Sequence, residues 1–414
     1  MPYKCRFCEN DLGDHFLDLG HQPPSNAYLD EDKLNLSEVS YPLKVYVCKS
    51  CWLVQLPEYL PSEALFTKDY AYLSSTSTSW CKHAEVFTKR AINKLSLNQE
   101  SFVIEIASND GYLLQYFKDA NINCFGIEPT SLAASEAKKK GIKTLERFFG
   151  YDLAQEIIKN YKDAYDGADL IVANNVLAHV PNINDFVAGI ALLLKPNGFA
   201  SIEFQHLLNI LKHNQFDTIY HEHYSYLSLT FLEKLCDKHK LYICEVEELN
   251  THGGSLRVWI SRNKNSKIDN SVNRILKEER LFELEKIKTY QKFQDNALNI
   301  KFATLNFLLN CKKNKISVIG YGAAAKGNTL LNYCGIKSDL LPFIFDKARS
   351  KQGKYLPGSH IPIIDIKEIK NFKKSKMLLL PWNLLEEIKK EFSDFDIVTA
   401  IPKLKIIKSS KSKS

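Results

Sequence analysis

From residue 102 onward, short apolar runs alternate along the chain with segments that carry apolar residues at helical spacing. The apolar runs predict buried strands at 102–107, 124–128, 168–173 and 199–204. The segments between them predict helices at 112–120, 130–140 and 185–194. Strands that alternate with helices in this way predict a doubly wound α/β domain around a parallel sheet.

A helical connector and a second α/β unit are predicted after this domain. Residues 268–311 contain no glycine or proline and carry apolar side chains at helical spacing, so they predict one long helix or a helix pair. Strand candidates follow at 316–319, 341–345, 376–380 and 397–400. This pattern predicts a smaller Rossmann-like unit that ends in a disordered Ser/Lys tail.

The first 95 residues lack this alternation and hold two pairs of cysteines, Cys5 with Cys8 and Cys48 with Cys51. Each pair can present two thiolates from one tight turn, as a tetrahedral Zn²⁺ with four sulfur ligands requires. Such a site has no open coordination position, so we expect a structural zinc. The same segment contains a proline-rich loop at 22–26 and a polar aromatic stretch at 68–77.

The composition is that of a globular protein of two to four domains, with 414 residues, 45% of them hydrophobic and 25% charged. No run approaches the ~20 apolar residues that a membrane helix needs, and the N-terminus lacks the pattern of a secretion signal. We therefore expect a cytoplasmic protein. The formal charge of +7 is spread along the chain, which suits an anionic small molecule as well as nucleic acid.

The turn after the first predicted strand, EIASNDGYLL at 105–114, indicates a cofactor site. Its small residues let a ligand approach the backbone where a helix begins. About 20 residues later Glu128 closes the next strand, where a carboxylate can bind both hydroxyls of a ribose. The turn is not G-x-G-x-x-G, so S-adenosylmethionine is favoured over NAD. His179, after a later strand, lies at the same edge, either near the ligand or as a histidine that only caps its loop.

The segment FDTIYHEHYSY at 216–226 concentrates more chemistry than any other part of the chain. Its histidines and carboxylate are costly to bury without a purpose. In an extended strand His221 and His223 would share one face and Glu222 the other, so a turn must intervene. General acid/base work is favoured because imidazole titrates near neutral pH. A His-x-His metal site and a structural hydrogen-bond cluster are the alternatives.

With these motifs in this order, the chain resembles the sugar C-methyltransferase family. The resemblance rests on the four-cysteine domain, EIASNDGYLL, IEPT, NNVLAHVPNINDFV, DTIYHEHYSYLS, THGGSLRVW, GYGAAAKGNTLLNY and KQGKYLPGSHIPI. Members methylate a carbon of a nucleotide-linked keto-deoxysugar with S-adenosylmethionine. One departure is Ala107, because many related methyltransferases have glycine at this position.

The resemblance implies roles for the candidate catalytic residues. His223 would be the base, and Tyr220 and Glu222 would assist it. Tyr70 and Tyr72 would reach the active site from the aromatic stretch.

Binding residues are implied in the same way. The cofactor-binding set comprises Ala107, Ser108, Asn109, Asp110, Glu128, Pro129, Asn174, Asn175 and His179. The substrate-binding set comprises Tyr224, His252, Lys326 and Asn328, the last two in a C-terminal domain that would hold the nucleotide diphosphate of the sugar.

Five segments are expected from the resemblance and the patterns together. They are a zinc-binding domain with its aromatic loop (1–95), a class I methyltransferase domain (96–265), a helical connector (266–312), a Rossmann-like nucleotide-sugar-binding domain (313–405) and the disordered tail (406–414).

The implied activity is C-methylation next to a ketone, at C3 by family habit, through an enolate formed by histidine. The product would be a branched sugar for a surface polysaccharide or a glycosylated metabolite. O- or N-methylation of a nucleotide sugar is the nearest alternative, and a zinc-containing RNA methyltransferase a distant one. We expect a nucleotide-linked keto-sugar as the partner, no nucleic acid or membrane, and a monomer or weak homo-oligomer.

Overall fold

The computed structural model describes residues 3–66, 73–161 and 166–409, and their strands form three sheets. The strands are β1 (Leu17–Gln22), β2 (Tyr41–Val47), β3 (Val54–Gln55), β4 (Phe102–Ile106), β5 (Asn123–Ile127), β6 (Thr144–Leu145), β7 (Ala168–Asn174), β8 (Leu194–Gln205), β9 (Ser225–Tyr226), β10 (Tyr242–Leu249), β11 (Ser255–Ser261), β12 (Val318–Tyr321), β13 (Ile344–Asp346), β14 (Ile363–Asp365), β15 (Lys376–Leu379), β16 (Asp396–Thr399) and β17 (Lys405–Ile407).

The α-helices of the described residues lie between these strands in the sequence, and α9 and α10 connect the central sheet, which ends at β11, to the sheet that begins at β12. They are α1 (Ser62–Leu65), α2 (Thr78–Leu95), α3 (Leu114–Asp119), α4 (Ser131–Lys139), α5 (Tyr151–Asn160), α6 (Ile183–Leu193), α7 (Leu207–Lys212), α8 (Leu229–Lys238), α9 (Asn270–Leu281), α10 (Ile287–Lys313), α11 (Ala325–Cys334) and α12 (Leu385–Glu391). None of the helices so described is long and apolar enough to cross a lipid bilayer.

The central sheet confirms the predicted doubly wound α/β fold. Its strand order is β10-β11-β8-β7-β4-β5-β6, and β11 runs antiparallel to both of its neighbours. Successive residues of β4 face opposite sides, as a strand requires. Ile104 packs in the cluster that contains α5, α6 and α8, whereas Val103 packs with α2 and α3. Helix α2, which lies before the expected boundary at residue 95, therefore packs on the central sheet.

The third sheet has the order β14-β13-β12-β15-β16-β17 and is parallel except for β17. Two predicted strands in this part were misplaced. The strand predicted at 316–319 begins at Val318, because α10 extends to Lys313 and Ile316 lies in the partly exposed connection. The strand predicted at 341–345 begins at Ile344, after Pro342, which has no amide hydrogen for a ladder.

The disordered tail predicted at 406–414 is wrong where the structure describes it. Ile406 and Ile407 pair with β16, and the Ser409 amide donates to Asp396 Oδ1 at 2.9 Å. Residues 410–414 lie outside the described part of the chain. The edge of the parallel sheet is therefore closed by an antiparallel strand.

The N-terminal sheet, β1-β2-β3-β9, contains a strand from a distant part of the sequence. Strand β9 belongs to the histidine-rich segment, and its Tyr226 pairs with Val54 of β3. The connector at 268–311 is a helix pair, α9 and α10, which is broken where Glu283 adopts a left-handed conformation with φ 62°. The histidine-rich segment thus joins the zinc-binding part to the central sheet.

Candidate functional site

The four N-terminal cysteines meet in one cluster. All four Sγ atoms lie within 4.8 Å of one another, and the Cys5–Cys51 and Cys8–Cys48 Sγ pairs are 3.5 Å apart. Four thiolates at ~2.3 Å from a tetrahedral Zn²⁺ would be ~3.8 Å apart, so the cluster fits this ion. Gln55 Nε2 donates to Cys5 Sγ at 3.1 Å, which supports a thiolate from outside the coordination shell.

Both cysteine pairs use the same turn. The residues after Cys8 and Cys51, Glu9 and Trp52, have φ values of 63° and 68°, and their amides donate to the Cys5 and Cys48 carbonyls respectively at 2.9 Å. The cluster confirms the predicted zinc site. Because four cysteines fill the tetrahedral coordination sphere, no position is open for a substrate, and the ion has a structural role.

The predicted cofactor turn lies at the carboxyl edge of β4. Ala107, Asn109 and Gly111 have positive φ values of 55°, 49° and 73°, so every second residue of the turn is left-handed. This conformation costs an alanine more than a glycine, which explains why glycine is the usual residue at position 107.

Glu128, at the end of β5, adjoins this turn. Its carboxylate accepts hydrogen bonds from the Asn109 amide at 2.9 Å and from the amide and hydroxyl of Thr130 at 2.9 and 2.6 Å. Burial raises the pKa of Glu128. Pro129 separates Glu128 from Thr130 and supplies no donor, so the amides of both neighbouring loops converge on one buried carboxylate.

Several buried polar atoms around this edge fit a bound cofactor. Ser108 Oγ, Asn174 Oδ1 and Asn175 Nδ2 have no hydrogen-bond partner within the described residues. Such atoms need a partner, and S-adenosylmethionine carries hydroxyl, amine and carboxylate groups that can supply one. Asp110 instead bonds the amide and hydroxyl of Ser75, which anchors the segment before α2 over the turn.

His223 occupies a partly buried position among aromatic rings. Its ring centroid lies 4.0 Å from that of Tyr220, 4.7 Å from that of His179 and 6.2 Å from that of Tyr226. His223 Nδ1 lies 2.8 Å from the Thr218 carbonyl oxygen. Because a carbonyl only accepts, Nδ1 carries the hydrogen and Nε2 carries the lone pair. Burial lowers the pKa of His223 well below 6.5, so the ring is neutral at pH 7.

His179 has the same tautomer for the same reason. Its Nδ1 lies 2.8 Å from the main-chain oxygen of Glu222, and burial lowers its pKa to about 4. The structure thus places His179 beside His223 as well as at the cofactor edge. Phe66 packs against the other side of His179, with ring centroids 5.5 Å apart.

The other residues of the histidine-rich segment separate around a turn, in which the His223 amide donates to the Tyr220 carbonyl. His221 points away from His223, with Nε2 3.3 Å from the Pro42 carbonyl oxygen, so the two histidines have different surroundings. Tyr224 also points away. Its hydroxyl donates to the Leu60 carbonyl at 2.7 Å and its ring lies beneath the Arg6 guanidinium, so its predicted place in the substrate-binding set stays a prediction.

The predicted C-terminal residues lie near the histidines of this site. Lys326 Nζ donates to the His252 carbonyl at 3.1 Å and lies 5.3 Å from the Trp382 ring centroid. Burial lowers the pKa of Lys326 and lowers that of His252 to about 4. Asn328, at the start of α11, is fully buried, and neither of its amide atoms has a partner in the part of the chain that the structure describes.

Sequence reasoning missed two polar clusters beside these residues. In the first, Glu203 Oε2 bonds His83 Nε2 at 2.9 Å and Arg257 Nη2 at 2.8 Å, and Trp80 stacks on His83 at 4.8 Å. Trp80 also contacts the His252 ring, at 5.3 Å. The cluster joins three distant segments, and Arg257 lies in the quoted motif THGGSLRVW but received no role.

The second cluster contains Asp217, which belongs to a quoted motif but received no role. Trp382 Nε1 donates to Asp217 Oδ2 at 2.7 Å, and burial raises the pKa of Asp217 to about 6. Tyr70 and Tyr72, the remaining predicted catalytic residues, lie outside the described residues.

Family models match three consecutive parts of the chain. Residues 5–66 match a "Putative zinc binding domain", residues 80–246 a methyltransferase domain, and residues 250–400 a C-methyltransferase C-terminal domain. The curated protein C-methyltransferase NovU of Streptomyces niveus is 30% identical to the chain over 410 residues, which cover 98% of this chain and 96% of NovU.

Solved structures resemble part of the chain. The magnesium protoporphyrin IX methyltransferase of Synechocystis PCC 6803, solved with bound SAH, is 14% identical, with 44% of this chain and 83% of that one covered and a TM-score of 0.34. An S-adenosylmethionine-dependent methyltransferase from Clostridium acetobutylicum is 12% identical, with 44% and 92% covered and a TM-score of 0.35.

Proposed function

Because this chain belongs to the family of S-adenosylmethionine-dependent C-methyltransferases, we propose that it methylates a carbon next to the ketone of a nucleotide-linked keto-deoxysugar, with C3 as the carbon. The proposal rests on one observation: His223 is a partly buried, neutral imidazole whose Nδ1 is bonded to a carbonyl, so that Nε2 can accept a proton. The branched sugar would serve a surface polysaccharide or a glycosylated metabolite.

A base is needed because a saturated sugar carbon is not a nucleophile. A ketone acidifies the neighbouring C–H bond, so His223 Nε2 takes the proton and leaves an enolate. S-adenosylmethionine supplies a methyl group on a positively charged sulfur, so the enolate carbon forms the new C–C bond as the S–CH₃ bond breaks and S-adenosylhomocysteine leaves. In this proposal Tyr220, whose ring lies against that of His223, donates toward the enolate oxygen.

Glu222 and the two aromatic-loop tyrosines would assist this step. For Tyr70 and Tyr72, support comes from the described residues on either side of them. Phe66 packs against His179, and the Ser74 amide donates to Asn109 Oδ1 at 2.8 Å. The described residues on both sides of these tyrosines therefore lie beside residues of the proposed active site.

The nucleotide part of the substrate would lie toward the C-terminal part of the chain. Lys326 offers a cation and Asn328 an amide without a partner among the described side chains, while His252 lies between them and the cofactor edge. Burial lowers the pKa of Lys326, and an anion bound beside its ammonium group would oppose that shift.

Family membership favours carbon over oxygen or nitrogen as the atom that is methylated. The enolate chemistry gives a further distinction, since an O- or N-methyltransferase needs no exchange of a carbon-bound proton. A protein substrate or RNA would need no keto group either. Proton exchange at carbon is therefore the property to measure.

The test is deuterium exchange. The protein with S-adenosylhomocysteine and a 4-keto nucleotide sugar in D₂O should incorporate deuterium at the carbon next to the ketone, and His223→Asn should slow this exchange by about 10²–10⁴-fold. His15→Ala, at a half-exposed histidine of the N-terminal part, is the control and should exchange like wild type. Full exchange in the His223 variant would remove this residue from the role of base.

A further inference from the structure

The proline-rich loop before residue 27 reaches the histidine-rich segment. Asn26 Nδ2 lies 2.7 Å from Glu222 Oε1 and 3.0 Å from Oε2, so one amide nitrogen donates to both oxygens of the carboxylate. Glu222 is 3% exposed. The two residues are 196 positions apart, and charge-assisted bonds of this length hold a side chain firmly.

Asn26 also contacts a tyrosine that is bonded to the C-terminal part of the chain. Its Oδ1 lies 3.4 Å from the Tyr28 hydroxyl, and that hydroxyl donates to the Ala323 carbonyl at 2.7 Å. Lys351 Nζ donates to the same carbonyl at 2.8 Å and lies over the Tyr28 ring. Contacts therefore run without interruption from the C-terminal unit through Tyr28 and Asn26 to Glu222.

We propose that Asn26 is a positioning residue, which fixes the Glu222 carboxylate and, through residue 222, the two imidazoles of the active site. The inference rests on the proposed function, because it assigns Asn26 to the same reaction. Glu222 connects to both histidines: its main-chain oxygen accepts from His179 Nδ1, and His223 is its neighbour in the turn.

Residue 222 is thus bonded both at its carboxylate, by Asn26, and at its main chain, by His179. In this proposal, loss of the Asn26 bonds lets the turn shift, and a shift of the turn moves the oxygen that accepts from the His179 ring. A displacement of ~1 Å at a reacting group can lower the rate by ~10²-fold. In this proposal the loop at 22–28, which lies outside the central domain, influences the reaction rate through the position of Glu222.

The experiment uses two substitutions of Asn26 in the full-length protein. Asn26→Ala removes both bonds, and kcat should fall about 10- to 100-fold at every pH, with KM changed less. Asn26→Asp places a second carboxylate within hydrogen-bond distance of Glu222, so that the pair must share a proton. Activity of Asn26→Asp should approach that of wild type at low pH and be lost as pH rises through the pKa of the shared proton.

Other ionisable groups also lie near the Asn26–Glu222 contact. Lys351, Asp346 and Glu222 act on the pKa of Tyr28, and His179 bonds the main-chain oxygen of Glu222. All of them are present in wild type as well, so the difference between the two pH profiles isolates the new carboxyl group. Asn270→Asp, an exposed position at the start of α9, is the matched control and should follow wild type.

A second measurement does not depend on activity. The shared proton gives the carboxyl pair of Asn26→Asp a raised pKa in the folded state, so the Tm difference from wild type should be small near pH 5 and grow toward pH 8. Bound zinc and affinity for S-adenosylhomocysteine should stay within about threefold of wild type, which separates positioning from misfolding.

The outcomes distinguish the two hypotheses. If wild type exchanges deuterium and both Asn26 variants match it, the positioning role is refuted while the proposed function stands. If wild type shows no exchange or methyl transfer with any keto sugar, the proposed function fails. In that case a Tm difference independent of pH also refutes the Asn26–Glu222 contact, whereas a difference that grows with pH supports it.

Discussion

The imidazoles of His179, His223 and His252 lie close together, since the charges of the other two act on the pKa of His223, and burial lowers the pKa of each of them. A lowered pKa keeps each ring neutral at pH 7, so that one ring nitrogen can accept a proton. Lys326 lies in the same group, and burial lowers its pKa as well. These histidines thus have the protonation state that a base needs.

The lowered pKa of His223 predicts the acid side of the pH–rate profile. An unperturbed histidine would lose its basic form below pH 6.5, whereas the folded His223 keeps it to a lower pH. We expect kcat/KM to stay constant down through pH 6.5 and to decline only below it. A profile of initial rates between pH 4.5 and pH 9, with a control for unfolding at the acid end, measures this; a midpoint at or above 6.5 would contradict the burial argument.

The residues that lie together at this site could be predicted from the sequence where they belong to one short motif. Tyr220 and His223 lie in one short segment, and the resemblance assigned both of them. Sequence reasoning could not tell that Tyr224 turns toward Arg6 and Leu60, because neighbouring residues in a turn have no fixed period that decides which way each side chain points.

Among the elements, β9 matters most to the site although it has only two residues. It joins β3, and β3 follows directly after the second cysteine pair. The Leu56 amide also donates to the Tyr224 carbonyl at 3.0 Å. The zinc turns therefore fix the strand on which the histidine-rich segment ends.

Removal of zinc should consequently lower kcat more than it lowers the affinity for the cofactor. Cys48→Ser or Cys51→Ser should lower bound zinc from about one ion per chain toward zero and reduce kcat at least tenfold, because the ion stabilises the turns beside β3. Affinity for S-adenosylhomocysteine should change less than about threefold, since its proposed site lies on the central sheet.

Metal analysis, calorimetry and initial rates give the three quantities. Cys311→Ser, at a cysteine of α10 outside the cluster, is the matched control and should retain zinc. Equal loss of cofactor affinity and of rate would show instead that zinc supports the whole fold.

The connecting helix α9 is attached to the central domain by one buried carboxylate. Glu279 accepts from His206 Nε2 at 2.7 Å, from the Leu229 and Thr230 amides at 2.7 and 2.8 Å, and from the Thr230 hydroxyl at 2.6 Å. Its exposed fraction is 0%. The start of α8 and the end of β8 are thus bonded to the same side chain.

Glu279→Ala should therefore destabilise the protein by about 3–5 kcal/mol, because His206 and the amides at the start of α8 lose their acceptor. Glu278→Ala, the exposed neighbour whose carboxylate pairs with Arg274 on the surface, should cost less than about 0.5 kcal/mol. Thermal unfolding of both variants measures the contrast, and similar Tm values would refute the anchoring role.

Element prediction succeeded where one period dominates and failed where chain geometry intervenes. The buried strands of the central sheet show as apolar runs, and the connector shows as a long stretch without glycine or proline. Strands β10 and β11 were missed, although the alternation in Tyr242–Leu249 is typical of a strand with one exposed face. The tail was misread because lysines flank Ile406 and Ile407, which pair with β16.

At the scale of the whole molecule, the segment 216–229 contacts all three parts of the fold. Its β9 joins the N-terminal sheet, its Leu227 forms a bridge with His206 beside the central sheet, and its Ile219 carbonyl accepts from Thr329 of α11, in the C-terminal part, at 3.0 Å. The proposed active site therefore forms only when the three parts are assembled. No periodic pattern in the sequence could predict these contacts, because they join residues 21, 110 and 172 positions apart through tertiary packing.

Trp382 provides a test of this assembly, because it bonds the histidine-rich segment from the C-terminal unit. Its Nε1 donates to Asp217 Oδ2 at 2.7 Å, and Asp217 Oδ1 has no partner within the described residues. Burial raises the pKa of Asp217 to about 6, so this carboxyl group stabilises the fold at low pH and that contribution is lost as pH rises through about 6. The Trp382 N–H favours the charged form and limits this loss.

Trp382→Phe keeps an aromatic ring near Lys326 and removes only the donor. At pH 8, where Asp217 is charged, we expect a destabilisation of about 2 kcal/mol, and at pH 5, where it is mostly neutral, a clearly smaller one. The Tm difference from wild type should accordingly increase with pH. In the background of Asp217→Asn, which has no charge to lose, the same substitution should give a Tm difference that does not vary with pH. A pH-dependent Tm difference that persists in this background would mean that Trp382 acts on another ionisable group. In that case the Asp217 contact would not be what joins the C-terminal unit to the histidine-rich segment.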